Sequence, residues 1–484
     1  MRRPVLVLAG GVVVAFALSA CAVGPDHVAP ERPTPPGFHA PLERGLVAEP
    51  AELARWWESF GDRALIALVE TAVQRNPGLG IAAARVREAR FRRTVASGAL
   101  GPTLDANGGV QRSEYSENEI FNFIQGPQDL WSAGFDAAWE IDVFGGARRS
   151  AEAADAEFGV RVEEYRDVLV SLIAEVARNY VELRSAQERL AIALANERAQ
   201  RETLEITVSR LGAGLVTELD VAQARSNLAS TRSRVPPLRL ELSAADGRLA
   251  VLLGIDPGRL AELVPGLDAQ APLPRVPAHI AVGVPAELLR RRPDLRRAER
   301  EVAAACAAIG IATAELYPQF SLTGSIGVRS RDADTLFEQD SLRYAFGPGF
   351  RWNLFAMGRV RAAVNAAEEV HRQSLARYEQ SVLGALDETR NTLLGFVREQ
   401  ERLEILREGE ASSQQAVELA RELYARGVAD FQTVLDAERS LFLTQEQRAQ
   451  SERSVVTGLI ALFKALGGGW EALAPSVAGD SGPD

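Results

Sequence analysis

The chain is poor in the residues that most often build catalytic and metal sites. Its 484 residues include two cysteines and four histidines. The histidines, which show no metal-ligand spacing, are His27, His39, His279 and His371. Neither a Gly-x-Ser-x-Gly motif nor a phosphate-binding glycine loop occurs in a plausible context. These absences argue against an enzyme and predict neither a metal site nor a cofactor.

The chain also lacks a block of basic residues. Lys464 is the single lysine among 54 basic residues, and 65 acidic residues give a formal net charge of -11. Binding to nucleic acid depends on clustered cations that neutralise phosphates. The charge pattern therefore argues against nucleic acid as a partner.

The apolar segment at the start of the chain is too short to cross a membrane as a helix. It follows two arginines, extends from Val5 to Leu18 and is typical of a secretory signal. It ends in Leu-Ser-Ala-Cys, a pattern that resembles a bacterial lipobox. We expect Cys21 to be acylated and to anchor the protein to outer-membrane lipid; the alternative is a chance cysteine near an ordinary cleavage site. An acylated Cys21 leaves Cys306 without a disulfide partner.

What the sequence does contain is a long internal duplication. Pro77 and Pro102 have counterparts in Pro293 and Pro318, both at the same offset in residue number. Further along the chain, Gly214 returns as Gly427 at a slightly shorter offset. Two copies of this length should fold into equivalent elements.

The duplication predicts six segments. They are a signal peptide (1–20), a lipid-anchored extended segment (21–60), a first repeat (61–270), a linker (271–285), a second repeat (286–470) and a disordered tail (471–484). Each repeat is predicted to contain a helix, a β-hairpin (102–144 or 318–355) and a long helical hairpin (147–254 or 358–466).

Long stretches keep their apolar residues in a heptad pattern. From Phe158 to Leu190 the apolar positions follow alternating steps of four and three, with two breaks. Proline-free helical patterns extend from about 147 to 210 and from about 360 to 426, and each ends at a glycine turn. At 1.5 Å per residue these helices would be about 100 Å long, and each is followed by a second helix that returns along it. The sequence therefore predicts two antiparallel coiled-coil hairpins.

Between the helices lie four segments in which apolar and polar residues alternate. The clearest covers residues 131–143, and the others lie near 104–111, 320–329 and 343–353. One such segment alone would favour a soluble sandwich, whereas four in two matched hairpins favour a transmembrane β-barrel. Four strands cannot close a barrel, and an open sheet edge in lipid leaves backbone groups without hydrogen bonds. The sequence therefore predicts an oligomer.

Together these features resemble the TolC-like outer-membrane efflux proteins, over about residues 50 to 470 in order. The lipobox points to the lipoprotein branch, the outer-membrane factors of resistance-nodulation-division pumps. Beside the duplicated halves, the segments that carry the resemblance are Trp56-Trp57-Glu58-Ser59-Phe60-Gly61-Asp62, Phe144-Gly145-Gly146, Gly358-Arg359-Val360-Arg361 and Val434-Leu435-Asp436-Ala437-Glu438-Arg439-Ser440.

The resemblance implies a mainly α fold with a transmembrane β part. Its homotrimer would have twelve long helices in an α-barrel tunnel that continues a twelve-stranded β-barrel, with four strands per subunit. It would lie in the cell outer membrane, extend into the periplasm and serve as a passive exit duct for drugs or other small toxic compounds. A periplasmic adaptor protein would join it to an inner-membrane resistance-nodulation-division transporter that supplies the energy.

The resemblance also assigns a periplasmic gate to the second hairpin tip. Tyr424 matches the gate tyrosine, Asp436 the pore carboxylate and Arg439 its basic partner. Gln432 stands where relatives commonly carry a pore-constricting leucine. Three Asp436 carboxylates around a threefold axis would repel one another unless a cation or Arg439 neutralised them. The alternative is a solvated pair on one helix face, worth roughly a few tenths of a kcal/mol.

Adaptor docking in the family uses the helical tips. The matching residues are Gly212, Ala213, Gly214, Leu215 and Val216 in the first hairpin and Gly427, Val428 and Ala429 in the second. Small residues there would let the adaptor approach the backbone closely. The alternative is that a tight helix turn needs a glycine with positive φ, and both explanations can hold together.

Two other functions remain open. One is a TolC-like duct for type I protein secretion, against which the lipobox argues. The other is a non-channel coiled-coil lipoprotein of the cell envelope, which ion conductance of the reconstituted protein would exclude.

Overall fold

The structure is a computed structural model that describes residues 22–30, 35, 37–38, 40, 42–50, 52–114, 116 and 126–473. The predicted signal peptide, Cys21 and most of the predicted tail lie outside the described residues. The chain divides into two compact units. The sheet unit comprises the described residues up to position 31 together with 85–161 and 297–379, and the helical unit comprises the described remainder.

Two pairs of long helices dominate the chain. In order, the helices are α1 (Arg63–Arg75), α2 (Pro77–Gly98), α3 (Gly146–Gly212), α4 (Glu218–Leu252), α5 (Leu260–Leu263), α6 (Pro285–Arg291), α7 (Pro293–Ala314), α8 (Arg359–Ala425) and α9 (Phe431–Ala465). The helices α3 and α8 have 67 residues each, and α4 and α9 have 35 each. The long helices of the first repeat thus have the same lengths as those of the second, as the duplication predicts. No helix among the described residues is both long enough and apolar enough to span a membrane.

The strands form one large sheet and one small one. The strands are β1 (Leu46–Val47), β2 (Thr103–Ser113), β3 (Gln128–Ile141), β4 (Ile280–Ala281), β5 (Gln319–Ser330) and β6 (Leu342–Arg351). In the sheet unit, four strands pair antiparallel in the order β2-β3-β5-β6. In the helical unit, β1 and β4 form a short parallel pair.

The apolar face of the large sheet is exposed rather than packed. Ala106 lies opposite Phe135, Phe135 opposite Ile326, and Ile326 opposite Tyr344, so these residues share one face across all four strands. The side chains of Phe135, Ile326 and Tyr344 are all more than half exposed. Monomeric soluble proteins rarely expose a contiguous apolar surface of this kind. The face therefore needs a covering that the described chain does not provide.

The tryptophan-rich segment before α1 forms part of the helical unit's core. Trp57 is almost completely buried, and Trp56 stacks on Phe463 with 5.1 Å between the ring centroids. Asp62 ends the segment and caps α1 by accepting a hydrogen bond from the Ala64 backbone N–H at 2.9 Å. The residues that carry much of the resemblance are thus explained here by packing and helix capping.

Equivalent tryptophans fix the strand exits of the two repeats. The indole Nε1–H of Trp139 donates to the carbonyl of Leu100, and that of Trp352 donates to the carbonyl of Leu316, each at 3.0 Å. In both repeats the bond joins the end of the second strand to the turn that follows the short helix. Both repeats therefore fix the strand exit by the same hydrogen bond.

Different side chains make the same bond where α4 and α9 end. The amide of Asn76 donates to the carbonyl of Leu252 at 2.8 Å, and the guanidinium of Arg292 donates to the carbonyl of Ala465 at 2.7 Å. The last carbonyls of a helix have no partner within the helix, so a side chain that supplies one stabilises the helix end. Both repeats therefore keep a side-chain hydrogen bond to a backbone carbonyl at the helix end, although the side chain that donates it differs.

Arg292 is also the centre of a buried ion cluster. Its side chain is only 11% exposed, and its guanidinium contacts Asp294 at 2.8 Å and Glu388 at 2.7 Å. Burial alone would lower the pKa of Arg292, but the pKa is raised because the two carboxylates stabilise the charged form. Asn76, its counterpart in the first repeat, has no charge to compensate.

Replacing Arg292 with alanine should therefore cost more stability than replacing Asn76. Removing one partner of a buried ion pair costs about 3 to 5 kcal/mol, and we expect the lower end, about 3 kcal/mol, since Glu388 is partly exposed. Asn76→Ala, which loses a neutral hydrogen bond, should cost about 1 kcal/mol. Denaturant unfolding of the detergent-solubilised variants, followed by circular dichroism, measures both. Equal losses would contradict a special role for the ion cluster.

Candidate functional site

The two hairpin tips have the same backbone geometry. Gly214 and Gly427 both adopt left-handed conformations, with φ of 70° and 75°. The N–H of the next residue, Leu215 or Val428, donates to the carbonyl five residues earlier at 2.9 Å in both tips. This is the Schellman arrangement, in which a helix ends at a glycine. Glycine is required at these two positions because an L side chain is strained there.

The returning helices begin with matched caps. The hydroxyl of Thr217 accepts from the backbone N–H of Asp220, and the carboxylate of Asp430 accepts from the backbone N–H of Thr433 at 2.9 Å. Hydrogen bonds from the Thr433 hydroxyl and backbone lower the pKa of Asp430. Each tip is thus a rigid turn between a glycine-terminated helix and a capped one.

The residues matched to adaptor docking surround these turns. Gly212, Ala213, Gly214, Leu215, Gly427 and Val428 are exposed, while Val216 and Ala429 are partly buried. Gly212 differs from the other two glycines because its φ is not positive, and a Cβ there, as at the other two, would meet no atom of another part of the described chain. Nothing within the described chain requires a glycine at 212. That position is the one where docking, rather than the turn itself, would explain the small residue.

Tyr424 is buried where the two hairpins meet. The guanidinium of Arg210 lies 4.4 Å from the centre of its ring and donates to the Tyr424 carbonyl at 2.8 Å. The ring also packs against Phe431, with 5.5 Å between the ring centroids. In the described part of the chain the hydroxyl has no hydrogen-bond partner. In one subunit, therefore, Tyr424 joins the hairpins as a core residue.

The other three gate positions share an exposed face of α9. Gln432, Asp436 and Arg439 follow one another by one helical turn, and the Gln432 amide donates to the Asp436 carboxylate at 3.0 Å. The Arg439 guanidinium is 3.8 Å from the same carboxylate and donates to Asn227 at 3.2 Å. Both charged side chains are more than half exposed. Within one chain, Asp436 and Arg439 therefore form a solvated pair on the helix surface, and Tyr424 is not part of that pair.

Sequence reasoning missed a buried carboxylate beside the exposed one. Glu438 is 4% exposed, and its Oε1 accepts from Arg421 and from the Thr203 hydroxyl, both at 2.9 Å. Its Oε2 has no hydrogen-bond partner within the described chain. The heptad pattern of α9 could have revealed it, because Glu438 occupies a seam position between the buried residues Val434 and Leu441. Glu438 ties α3 to α9 at the tip.

We expect Glu438→Ala to loosen the packing of the second tip within each subunit, while Asp436→Ala leaves that packing intact. The first substitution removes the shared acceptor of Arg421 and Thr203, which should cost about 1.5 to 3 kcal/mol. The second removes an exposed carboxylate and should change stability by at most about 0.5 kcal/mol. The rate of protease cleavage at the tips measures the difference. Equal cleavage rates in the two variants would show that Glu438 does not hold the tip.

No group of three or more histidine, cysteine, aspartate or glutamate side chains able to hold a metal ion occurs among the residues that the structure describes.

Cys306 is a free, buried thiol whose Sγ lies 3.6 Å from the carbonyl of Pro25. Burial raises the pKa of Cys306, and the nearby Glu152 adds to the effect, so its thiol stays protonated at neutral pH.

A family model described as "Outer membrane efflux protein" matches residues 68–255 and 284–468, one range for each copy of the duplication. The chain belongs to the outer membrane efflux protein family. It is 32% identical to the pyoverdine export outer membrane protein OpmQ of Pseudomonas putida, over 92% of this chain and 95% of that protein. It is 31% identical to the cation efflux system protein CusC of Escherichia coli, over 95% and 98% of the two chains.

A solved structure of the outer-membrane channel OprN has the same fold. The two superpose with a TM-score of 0.87 at 35% identity, over 93% of this chain and all of the OprN chain. The predicted fold class and the predicted family are thereby confirmed. The relatives are outer-membrane efflux proteins and channels, so the protein is an outer-membrane efflux component. The segment boundaries and the gate and docking residues stay predictions.

Proposed function

We propose that the protein is the exit duct of a tripartite efflux pump. Three copies would assemble in the outer membrane, held there by a lipid anchor, and would conduct drugs or other small toxic compounds passively. An inner-membrane transporter would supply energy and select the cargo, and a periplasmic adaptor would connect it to the duct. The observation that carries this proposal is the four-stranded sheet, whose apolar face is exposed and whose edge strands have no second partner within the described residues.

A sheet of this kind is suited to a lipid environment only in an assembly. Lipid can cover the apolar face, but it offers no hydrogen bonds to the backbone groups at the edges of β2 and β6. Strands from neighbouring copies can supply those bonds, and a closed ring of strands has no edge left. The same assembly supports a lumen lined by the polar face, which carries Asp105, Asp136 and Asn107.

The relatives support a duct that does not choose its cargo. The names of two relatives refer to pyoverdine in one case and to cations in the other. Such different cargoes among proteins of one fold are consistent with selection of the cargo by the inner-membrane transporter. The absence of a metal-binding group among the described residues is compatible with any of these cargoes.

The start of the described chain supports an anchor at Cys21. The N–H of Val23 donates to the carbonyl of Phe144 at 3.0 Å, and a Cβ at Gly145 would lie 2.7 Å from the Ala22 backbone. The Arg149 side chain donates to the carbonyl of Val23 at 3.2 Å. The residues that would follow the acylated cysteine are therefore held against the strand exit in the sheet unit, where acyl chains would be needed.

Cys21→Ser should abolish acylation, while Cys306→Ser should not. Intact mass measurement of the membrane-extracted protein should show the acyl groups on wild type and on Cys306→Ser alone, because only Cys21 is the cysteine of a lipobox. Acyl groups on Cys21→Ser would exclude the predicted anchor.

The gate is tested by conductance in planar bilayers. Wild-type trimers should give small, cation-preferring currents, because three Asp436 carboxylates at one constriction attract cations and hold the tips together through Arg439. Asp436→Ala combined with Arg439→Ala should raise the single-channel current and increase antibiotic entry into cells. The matched control is Glu422→Ala with Arg426→Ala, an exposed ion pair at the end of α8.

Three outcomes are informative. An increase in the gate variant alone supports the gate. An unchanged current in the gate variant, with conducting trimers throughout, removes the gate assignment and leaves the duct. Monomers without current at any voltage would overturn the duct and favour the non-channel envelope lipoprotein.

A further inference from the structure

A groove lies between the two helical hairpins of one subunit. It has a volume of about 460 Å³ and is lined by residues of α3, α8 and α9 together with Gln270. Along α3 the lining extends from Glu188 to Gln200, which is about 18 Å at the rise of an α-helix. Sites for small organic molecules usually have volumes of about 300 to 1,000 Å³. The groove is therefore elongated and large enough for such a molecule.

Much of the groove wall is formed by small and apolar side chains. These lining residues are Ala191, Ile192, Ala195, Ala199, Val417 and Leu441. Contact with a wall of this kind removes hydrocarbon from water, which favours binding of an alkyl group.

Polar groups toward the Glu188 end of the groove already have partners. The carboxylate of Glu188 accepts from the guanidinium of Arg448 at 2.6 Å. Further along the groove, the amide of Asn196 donates to the side-chain oxygen of Gln445 at 2.9 Å. These groups are satisfied within the chain and need no ligand.

Two buried oxygen atoms at the other end lack such a partner. Gln200 and Glu438 both line the groove, and each is 4% exposed. Among the residues that the structure describes, neither Oε1 of Gln200 nor Oε2 of Glu438 accepts a hydrogen bond. Thr203, which donates to the other oxygen of Glu438 at 2.9 Å, is a near neighbour of Gln200 on α3. An unpaired buried acceptor is costly, so both oxygens are suited to a donor that the chain does not supply.

We propose that the groove binds an alkylammonium, with its ammonium group at Glu438 and Gln200 and its alkyl chain along the apolar wall. An ammonium carries three N–H donors and no acceptor, so one group can donate to both oxygens. Its positive charge also complements Glu438, because Arg421 contacts only the other oxygen of that carboxylate and is 43% exposed. A hydrogen bond between charged groups is stronger than one between neutral groups.

A ligand at this place would join the two hairpins. Its ammonium would contact Gln200 of α3 and Glu438 of α9, the helices that the Thr203–Glu438 hydrogen bond already connects. A ligand that binds only the folded protein raises the free energy of unfolding. All of these residues belong to one subunit, so the site does not depend on the duct proposed above.

Three probes of equal chain length test the ligand chemistry. They are n-hexylammonium, n-hexanol, which lacks the charge, and n-hexyltrimethylammonium, which keeps the charge but has no N–H donor. Isothermal titration calorimetry of the detergent-solubilised full chain measures the binding of each. We expect n-hexylammonium to bind at least about tenfold more tightly than either other probe, because it alone offers charged N–H donors to both oxygens.

Gln200→Met tests the site without removing any hydrogen bond that the described chain makes to this oxygen. The substitution replaces the unpaired acceptor with an apolar group of similar size, so the affinity for n-hexylammonium should fall about tenfold. The unfolding temperature of the ligand-free variant should not fall. Gln432→Met is the matched control, since Gln432 is an exposed amide on α9, and it should bind n-hexylammonium as wild type does.

Glu438→Gln tests the contribution of charge. It should remove the preference for n-hexylammonium over n-hexanol, because the carboxylate that attracts the ammonium is lost. Asp436→Asn removes an exposed carboxylate from the same helix and should keep the preference. Since Glu438 also holds Arg421 and Thr203, Gln200→Met decides the result if Glu438→Gln unfolds.

The outcomes are distinct. A preference for n-hexylammonium that Gln200→Met weakens and both controls keep supports the site. Equal binding of the three probes, or undiminished binding to Gln200→Met, overturns it. A ligand-free Gln200→Met that unfolds at a lower temperature than wild type also overturns it, because the oxygen would then have a partner already. None of these failures affects the duct, which conductance tests separately.

Discussion

Backbone hydrogen bonding at two strand edges is the constraint on which the rest of this structure depends. In the sheet of β2, β3, β5 and β6, each inner strand pairs with two neighbours, whereas β2 and β6 each pair with one and leave an open edge. The apolar face of the sheet is exposed. In lipid, each unpaired N–H or C=O costs several kcal/mol, so the sheet must find partner strands. In the proposed assembly the subunit is one part of a ring, and the long helices that follow each hairpin would have to fit the same ring.

The duplication explains how one chain can meet that constraint twice. The two repeats keep the bonds that fix backbone positions and change the side chains that make them. Asn76 and Arg292 donate to the ends of α4 and α9, and Thr217 and Asp430 cap the starts of the same helices. The two repeats therefore share a backbone geometry while the side chains that stabilise it differ.

Charge has two separate roles at the second hairpin tip. The buried Glu438 holds Arg421 and Thr203 in place, and its environment is formed within one subunit. The exposed Asp436 and Arg439, one helical turn apart on the same helix, contact each other loosely at 3.8 Å. An exposed pair of this kind adds little to the stability of a single chain. The pair would matter more in the proposed gate, where three copies would bring like charges close together.

The sequence alone determined the order and kind of the elements. Heptads and alternating stretches are local patterns, and glycines such as Gly214 and Gly427 are required by local backbone geometry, so helices, strands and tips could be predicted. Only the tertiary structure decided that Tyr424 is buried under Arg210 and that Glu438, not Asp436, is the carboxylate that stabilises the tip. Burial depends on neighbours hundreds of residues away in the chain, and no local pattern specifies which helix faces meet.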